Sequence, residues 1–207
     1  MDGVIVDSEP LHERAFRDVF AEMGYGANHE INFTEYYGRS DRALWLDFMA
    51  KHQPPQTLEE LLGWKQGRFL QILREQRPIF PGMAGLLKRM AVRYKLGLAS
   101  GSLHAVIYVV LEMGDLRRFF PAVASVQDVA HGKPAPDVFL RVADLLGVRA
   151  EACCVIEDSA AGVQAAHSAG MTVIAITNTL PADKLADADH VVATHDEIEA
   201  LLLRPVA

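Results

Sequence analysis

The 207-residue chain is half hydrophobic and 23% charged, with a formal net charge of −7. That is the balance of an ordinary globular protein, long enough for one sizeable domain or for a core carrying a smaller insertion. The acidic excess excludes a general nucleic-acid or anionic-membrane binder, both of which need a basic face, but leaves room for a small anionic ligand in a locally positive pocket.

From residue 8 to 23 the run SEPLHERAFRDVFAEM reads as a helix. Ser8 is placed to cap it, Pro10 suits its first turn, and Leu11, Ala15, Phe16, Val19, Phe20 and Met23 recur at helical spacing. Gly24 and Gly26 close it. The stretch to about Glu75 stays helical in pattern, cut by Gly38-Arg39-Ser40 and by Pro54-Pro55, and nothing in it alternates like a strand. The longest apolar stretch, around residues 105–111, is far short of a membrane span, and no charged-then-apolar leader opens the chain. A soluble, cytoplasmic protein is the expectation.

After RPIFPG the character changes, with Pro78, Pro81 and Gly82 marking a junction. KLGLAS precedes a helix over 103–113. AVASV leads through a loop to the helical PDVFLRVADLLG. CCVIEDS precedes GVQAAHSAG, TVIAIT follows, and HVVAT precedes the final helix HDEIEALLL. Apolar strands alternating with helices predict an α/β fold, a mostly parallel sheet covered by helices, from about residue 82 onward. Cys153 and Cys154 are adjacent in the CCVI run. Neighbours in sequence do not bridge readily, so buried thiols in a reducing compartment are expected.

Ligands of such sheets bind outside the carboxyl ends of the strands. Three predicted strands end there in polar groups: Ser100 with Gly101 and Ser102, Glu157-Asp158-Ser159, and Lys133 in the loop HGKPAPD. Ser100 alone reads as well as a helix cap, and Lys133 alone as a solvated loop lysine. Asp137 reads as a cap or first-turn residue. Glu157-Asp158 is less ordinary. Adjacent carboxylates at the end of a buried strand repel each other unless a cation or strong donors intervene, and Mg²⁺, an oxygen-loving dication, answers that need.

DGVIVDS, LASGS, GKPAPD and IEDSAAG, in this order and spacing, resemble the haloacid dehalogenase superfamily of phosphotransferases, in the branch holding β-phosphoglucomutase and small sugar-phosphate phosphatases. The likeness covers essentially the whole chain. It implies a Rossmann-like core at residues 1–9 and 78–207 with an inserted α-helical cap at residues 10–77. It further implies action on a small phosphorylated metabolite; a monomer is expected, and the net charge speaks against a nucleic-acid or membrane partner.

In this family two aspartates separated by one residue end the first strand: a nucleophile that takes the phosphoryl group, then a general acid and base. Asp2 matches the second, and its backbone carbonyl would ligate Mg²⁺. Asp158 matches the direct carboxylate ligand, with Glu157 ligating or holding metal-bound water. Ser100 and the Gly101 amide would hold the phosphoryl oxygens, and Lys133 would neutralise them. In the cap, Arg39 lies near a substrate-reading position, although a solvated surface arginine fits equally. His12 follows at the spacing of a mutase histidine, with an unremarkable helix histidine as its rival. Lys65 is a weaker substrate-binding candidate, a helix-surface lysine being the better reading from sequence alone.

The family pattern asks for the nucleophilic aspartate immediately before Met1, and before it an apolar strand central in the sheet. The expectation is that Met1 is an internal methionine lying between the two aspartates. Three functions follow: a Mg²⁺-dependent phosphatase of a sugar phosphate, a phosphomutase of the β-phosphoglucomutase kind, or a non-catalytic binder of phosphorylated ligands if the chain truly starts at Met1.

Overall fold

A computed structural model of the chain describes residues 1–36 and 40–203. They form two compact units, one of Met1–Asp7 with Pro78–Ala207 and one of Ser8–Arg77.

The second unit holds α1 (Glu9–Glu22), α2 (Asp41–His52) and α3 (Leu58–Gln76). α1 turns Leu11, Ala15, Phe16, Val19 and Phe20 inward, the stripe its periodicity predicts. Those side chains meet Phe33, Trp45 and Phe48 in an aromatic core, with Phe20 and Trp45 edge to face at 5.2 Å. Thr57 opens α3 with a reciprocal capping box: its hydroxyl accepts from the Glu60 amide while the Glu60 carboxylate accepts from the Thr57 amide. Ser8, expected to cap α1, is buried and makes no capping bond to the helix, because it sits in the αR region instead of the extended geometry a cap requires.

In the first unit α4 (Met83–Arg93), for which the strand and helix patterns give no expectation, is followed by β1 (Gly97–Ser100), α5 (His104–Met113) and β2 (Ala122–Ser125). Next come α6 (Asp137–Leu146), β3 (Cys154–Glu157), α7 (Ala160–Ser168), β4 (Thr172–Ile176), β5 (His190–Val192) and α8 (His195–Leu202). Every strand pairing is parallel, and the nearly continuous apolar runs of β3 and β4 fit strands covered on both faces. α6 lies on β1 and β2, and α7 on β3 and β4. Val138, Phe139, Val142, Val155, Val163 and Val173 join them in one apolar cluster. Burying each such side chain contributes about 1.5–3 kcal/mol.

The parallel strands fall into two sheets, as the expectation of a central strand before Met1 implies. β1 pairs only with β2, while β3, β4 and β5 form a separate sheet. Between β1 and β3 lies an apolar cavity of about 410 Å³ lined by Met1, Leu87, Leu98, Ala99, Val155 and Ile156, among others. The expectation of buried thiols needs correction too. Cys153 is half-buried and Cys154 accessible, and both border this cavity. Burial, then Asp189 and Cys153, still push the Cys154 thiol up to about 11.

Met1–Asp7 is a turn, not a strand. Gly3 donates to Val6 O at 2.8 Å and Ile5 to Met1 O at 2.7 Å, after which Asp7 joins Pro78 O at 2.9 Å. No helix among the described residues is long and apolar enough to cross a membrane.

Candidate active site

Because β1 and β3 are both parallel members of the α/β core, the residues leaving their carboxyl ends are the ones to inspect. The Met1–Asp7 turn meets them there. Ser102 Oγ donates to Asp2 Oδ2 at 2.7 Å, Asn178 Nδ2 donates to Gly3 O at 2.8 Å, and Thr179 Oγ1 donates to Asp158 Oδ2 at 2.5 Å. Gly3 has a positive φ of 63°, and a Cβ there would overlap the Asp158 carboxylate and stand 2.6 Å from Thr179 Oγ1. Only glycine lets this turn approach so closely.

Ser100 is buried, and its hydroxyl accepts from the Ser102 amide at 3.0 Å. It does not cap α5, whose N-cap is Leu103. Ser125 Oγ holds the same loop by donating to Ser102 O at 2.7 Å. Gly101 is exposed, and a Cβ added there would meet nothing within 4 Å, so its backbone is open to a ligand.

Lys133 is no solvated loop lysine. Its ammonium pairs with the Glu157 carboxylate, the side chains being 15% and 5% exposed, and lies 4.8 Å from the Phe139 ring centroid. Glu157 Oε2 also accepts from Ser159 Oγ at 2.8 Å and from the amides of Asp158 and Ser159 at 3.1 and 3.2 Å. A Cβ on Gly162 would overlap this carboxylate. The glycine in the first turn of α7 therefore makes the space Glu157 occupies.

The two adjacent carboxyls are driven apart in acidity. Burial pushes Glu157 up, but the Lys133 ammonium, the chain's amino terminus and the hydrogen bonds from Lys133 and Ser159 outweigh it, so Glu157 lies below its ordinary value. Burial, and next the Glu157 charge, push Asp158 up to about 6, with Asp2 adding to the rise against the Thr179 hydrogen bond and the amino terminus. A carboxylate so disfavoured as an anion is one that a cation relieves.

Among the described residues no three His, Cys, Asp or Glu side chains make a ready-made metal cage. The donor chemistry nonetheless fits Mg²⁺, which takes few protein ligands and keeps several waters. Asp158 and Asp2 offer oxygen only, and the Asp2 charge opposes ionisation of Asp158 unless a cation balances it. Glu157 is already neutralised by Lys133.

Thus Asp2, Ser100, Gly101, Lys133, Glu157 and Asp158 all belong to the α/β unit, and His12 and Lys65 to the helical one. Lys65 is wholly buried there, contrary to a helix-surface reading, bound to Asp41 and His12. Arg39 lies outside the described residues. Sequence reasoning gave no separate role to Ser102, Ser159, Asn178 or Thr179. The last two had a usable signal, because NT follows the apolar run TVIAIT just as ED follows CCVI.

A family model for haloacid dehalogenase-like hydrolases matches residues 1–176. Hexitol phosphatase B of Escherichia coli is 33% identical over 180 residues, covering 85% of this chain and 80% of that protein. Fructose-1-phosphate phosphatase of the same organism is 31% identical over 175 residues, covering 84% and 92%. Among solved structures, a β-phosphoglucomutase homologue from Thermotoga maritima superposes with a TM-score of 0.76 at 27% identity, covering 98% of this chain and 94% of that one. With its strand-end carboxylates, its serine loop and its lysine arranged at one turn, this chain belongs to the haloacid dehalogenase-like hydrolase family.

Proposed function

We propose that the protein is a Mg²⁺-dependent phosphatase of a small phosphorylated sugar or sugar alcohol. The observation that carries this reading is the split carboxyl pair, Glu157 neutralised by Lys133 beside an Asp158 raised to about 6, next to the Asp2 carboxyl. The relatives named for hexitol and fructose-1-phosphate phosphatase activity support the substrate class.

Asp158 and the Asp2 carbonyl would hold the metal, which when bound supplies positive charge against the phosphoryl oxygens. The Ser100 hydroxyl and the Gly101 amide orient those oxygens, and Lys133 adds a second positive charge. The Asp2 carboxyl, held by Ser102 Oγ at 2.7 Å, protonates the leaving oxygen and then takes a proton from the attacking water. The family resemblance puts the nucleophile that carries the aspartyl-phosphate immediately before Met1. The helical unit, as a cap, reads the sugar.

The test compares the 207-residue chain with a form in which an apolar strand ending in aspartate precedes Met1. The extended form should release phosphate from hexitol and hexose phosphates only with Mg²⁺, and asparagine at the added position should abolish turnover. Hydrolysis by the 207-residue chain itself would overturn the nucleophile assignment. The structural likeness to a β-phosphoglucomutase homologue supports phosphomutase activity as a second reading. Supplying β-glucose 1-phosphate with a bisphosphate activator separates the two, since a mutase accumulates glucose 6-phosphate and a phosphatase frees phosphate.

A further inference from the structure

The chain leaving β4 runs straight into a pair of residues that grips both sides of the candidate metal site. β4 lies beside β3 with Ala175 opposite Glu157, and Thr177 N donates to Val192 O at 3.0 Å, so the chain stays bonded to its neighbour one residue past Ile176. Asn178 and Thr179 follow at once. Thr179 Oγ1 donates to Asp158 Oδ2 at 2.5 Å, and Asn178 Nδ2 donates to Gly3 O at 2.8 Å. Adjacent side chains thus hold groups 21 and 175 residues away in sequence.

Each bond constrains one oxygen suited to a cation. A carboxylate held at one oxygen by a hydroxyl keeps its plane and presents its second oxygen, here Oδ1, to a different partner. The Asp2 carbonyl is set by the peptide it belongs to. That peptide is planar and trans, so its N–H and C=O point opposite ways. Gly3 N donates to Val6 O at 2.8 Å, which aims the Asp2 carbonyl to the other side, and Asn178 pins the next peptide through Gly3 O. The two ties meet in space, since a Cβ on Gly3 would overlap the Asp158 carboxylate and lie 2.6 Å from Thr179 Oγ1.

We propose that Asn178 and Thr179 are positioning residues for a divalent cation, Thr179 orienting the Asp158 carboxylate and Asn178 the turn that carries the Asp2 carbonyl. Neither is itself a ligand. They set the span between two protein oxygens in advance, so that binding spends less on ordering them. The ties follow from the geometry; that they serve Mg²⁺ rests on the phosphatase reading above.

The test reads metal binding without turnover. Calorimetric titration with Mg²⁺, on the 207-residue chain and on its extended form, compares wild type with three variants. Thr179→Val keeps the shape and removes the donor, and should weaken Mg²⁺ binding about 10-fold or more, the loss typical when a group holding a metal ligand is removed. Thr179→Ser restores a hydroxyl and should stay within about 3-fold of wild type. Asn178→Ala should also weaken binding, and should speed hydrogen exchange at the Gly3 amide. The Val173 amide, bound to Asp189 at 2.8 Å on the same strand, should keep its rate.

A merely structural threonine would lower the melting temperature of the metal-free protein and leave valine and serine variants equal in Mg²⁺ affinity. Equal affinities of Thr179→Val and wild type overturn the role of Thr179, and unchanged exchange at Gly3 in Asn178→Ala overturns that of Asn178. An extended form that binds Mg²⁺ yet hydrolyses no sugar phosphate counts against the phosphatase reading and leaves the positioning result standing. If neither form binds Mg²⁺, both fall.

Discussion

Lys133 and Glu157 form an ion pair with almost no access to water, the lysine arriving from the loop before α6 and the glutamate from the last residue of β3. Removing one partner strands the other charge. Lys133→Met should destabilise the protein by about 3–5 kcal/mol, the range for breaking a buried pair. Lys133→Met combined with Glu157→Gln should recover at least half of that loss. Urea denaturation of wild type, the single variant and the double variant checks both, and a double variant no more stable than the single one would contradict the pairing.

Asp158 predicts a pH dependence of the opposite sense to an ordinary carboxylate. Its folded value, about 6, lies above the ordinary 3.8, so the native state binds a proton more readily than the unfolded chain. The stabilisation is fullest below about pH 4 and is lost as pH rises through about 6, a change on the order of 3 kcal/mol at most. Thermal melts of metal-free wild type against Asp158→Asn should therefore converge at low pH and separate toward pH 7, with the wild type the less stable. Mg²⁺ should raise the wild-type melting temperature at pH 7 and leave Asp158→Asn nearly unchanged.

Gly162→Ala tests the space around Glu157. The new methyl would occupy the position of the Glu157 carboxylate, against a backbone that α7 holds fixed. The glutamate must swing away, so the hydrogen bonds from Ser159 and Lys133 break together. A loss of about 1–3 kcal/mol for overpacking is expected, with phosphatase activity of the extended form falling at least as far as in Lys133→Met. Gly63→Ala, at a position with nothing within 4 Å, is the control and should be neutral or stabilising.

Thr57→Ala probes the helical unit alone. It removes the hydroxyl from the capping box of α3 and should cost about 1 kcal/mol. Hydrogen exchange should show the loss first at the Glu60 amide, which donates to that hydroxyl.

The elements readable from sequence are those whose cause is local. KLGLAS, CCVI and TVIAIT are apolar runs that any parallel sheet would bury, and the ED that follows CCVI carries its own electrostatic tension wherever it is placed. The features that escape have remote causes. Lys65 is indistinguishable from a surface lysine along α3, and only Asp41 and His12, 24 and 53 residues away, make its burial tolerable. Ser102 likewise reads as loop polarity until the turn at Asp2 arrives from 100 residues upstream. Gly162 resembles any small residue of a close-packed helix until the Glu157 carboxylate is seen beside it.

The division of the sheet has a consequence for how firmly the reacting groups are spaced. Ser100 ends a strand of one sheet, whereas Glu157 ends a strand of the other. Within each sheet, ladder bonds fix the spacing to a single register, as between Ser100 and Ser125 or Glu157 and Ala175. Across the seam no ladder runs among the described residues. Within the 207 residues, one apolar cluster that includes α6 and α7 spans the two halves. A central strand ending in aspartate, the one the family resemblance sets before Met1, would pair with both edges at this seam, and its ladder bonds would then fix the span from the serine loop to the carboxylate pair in register.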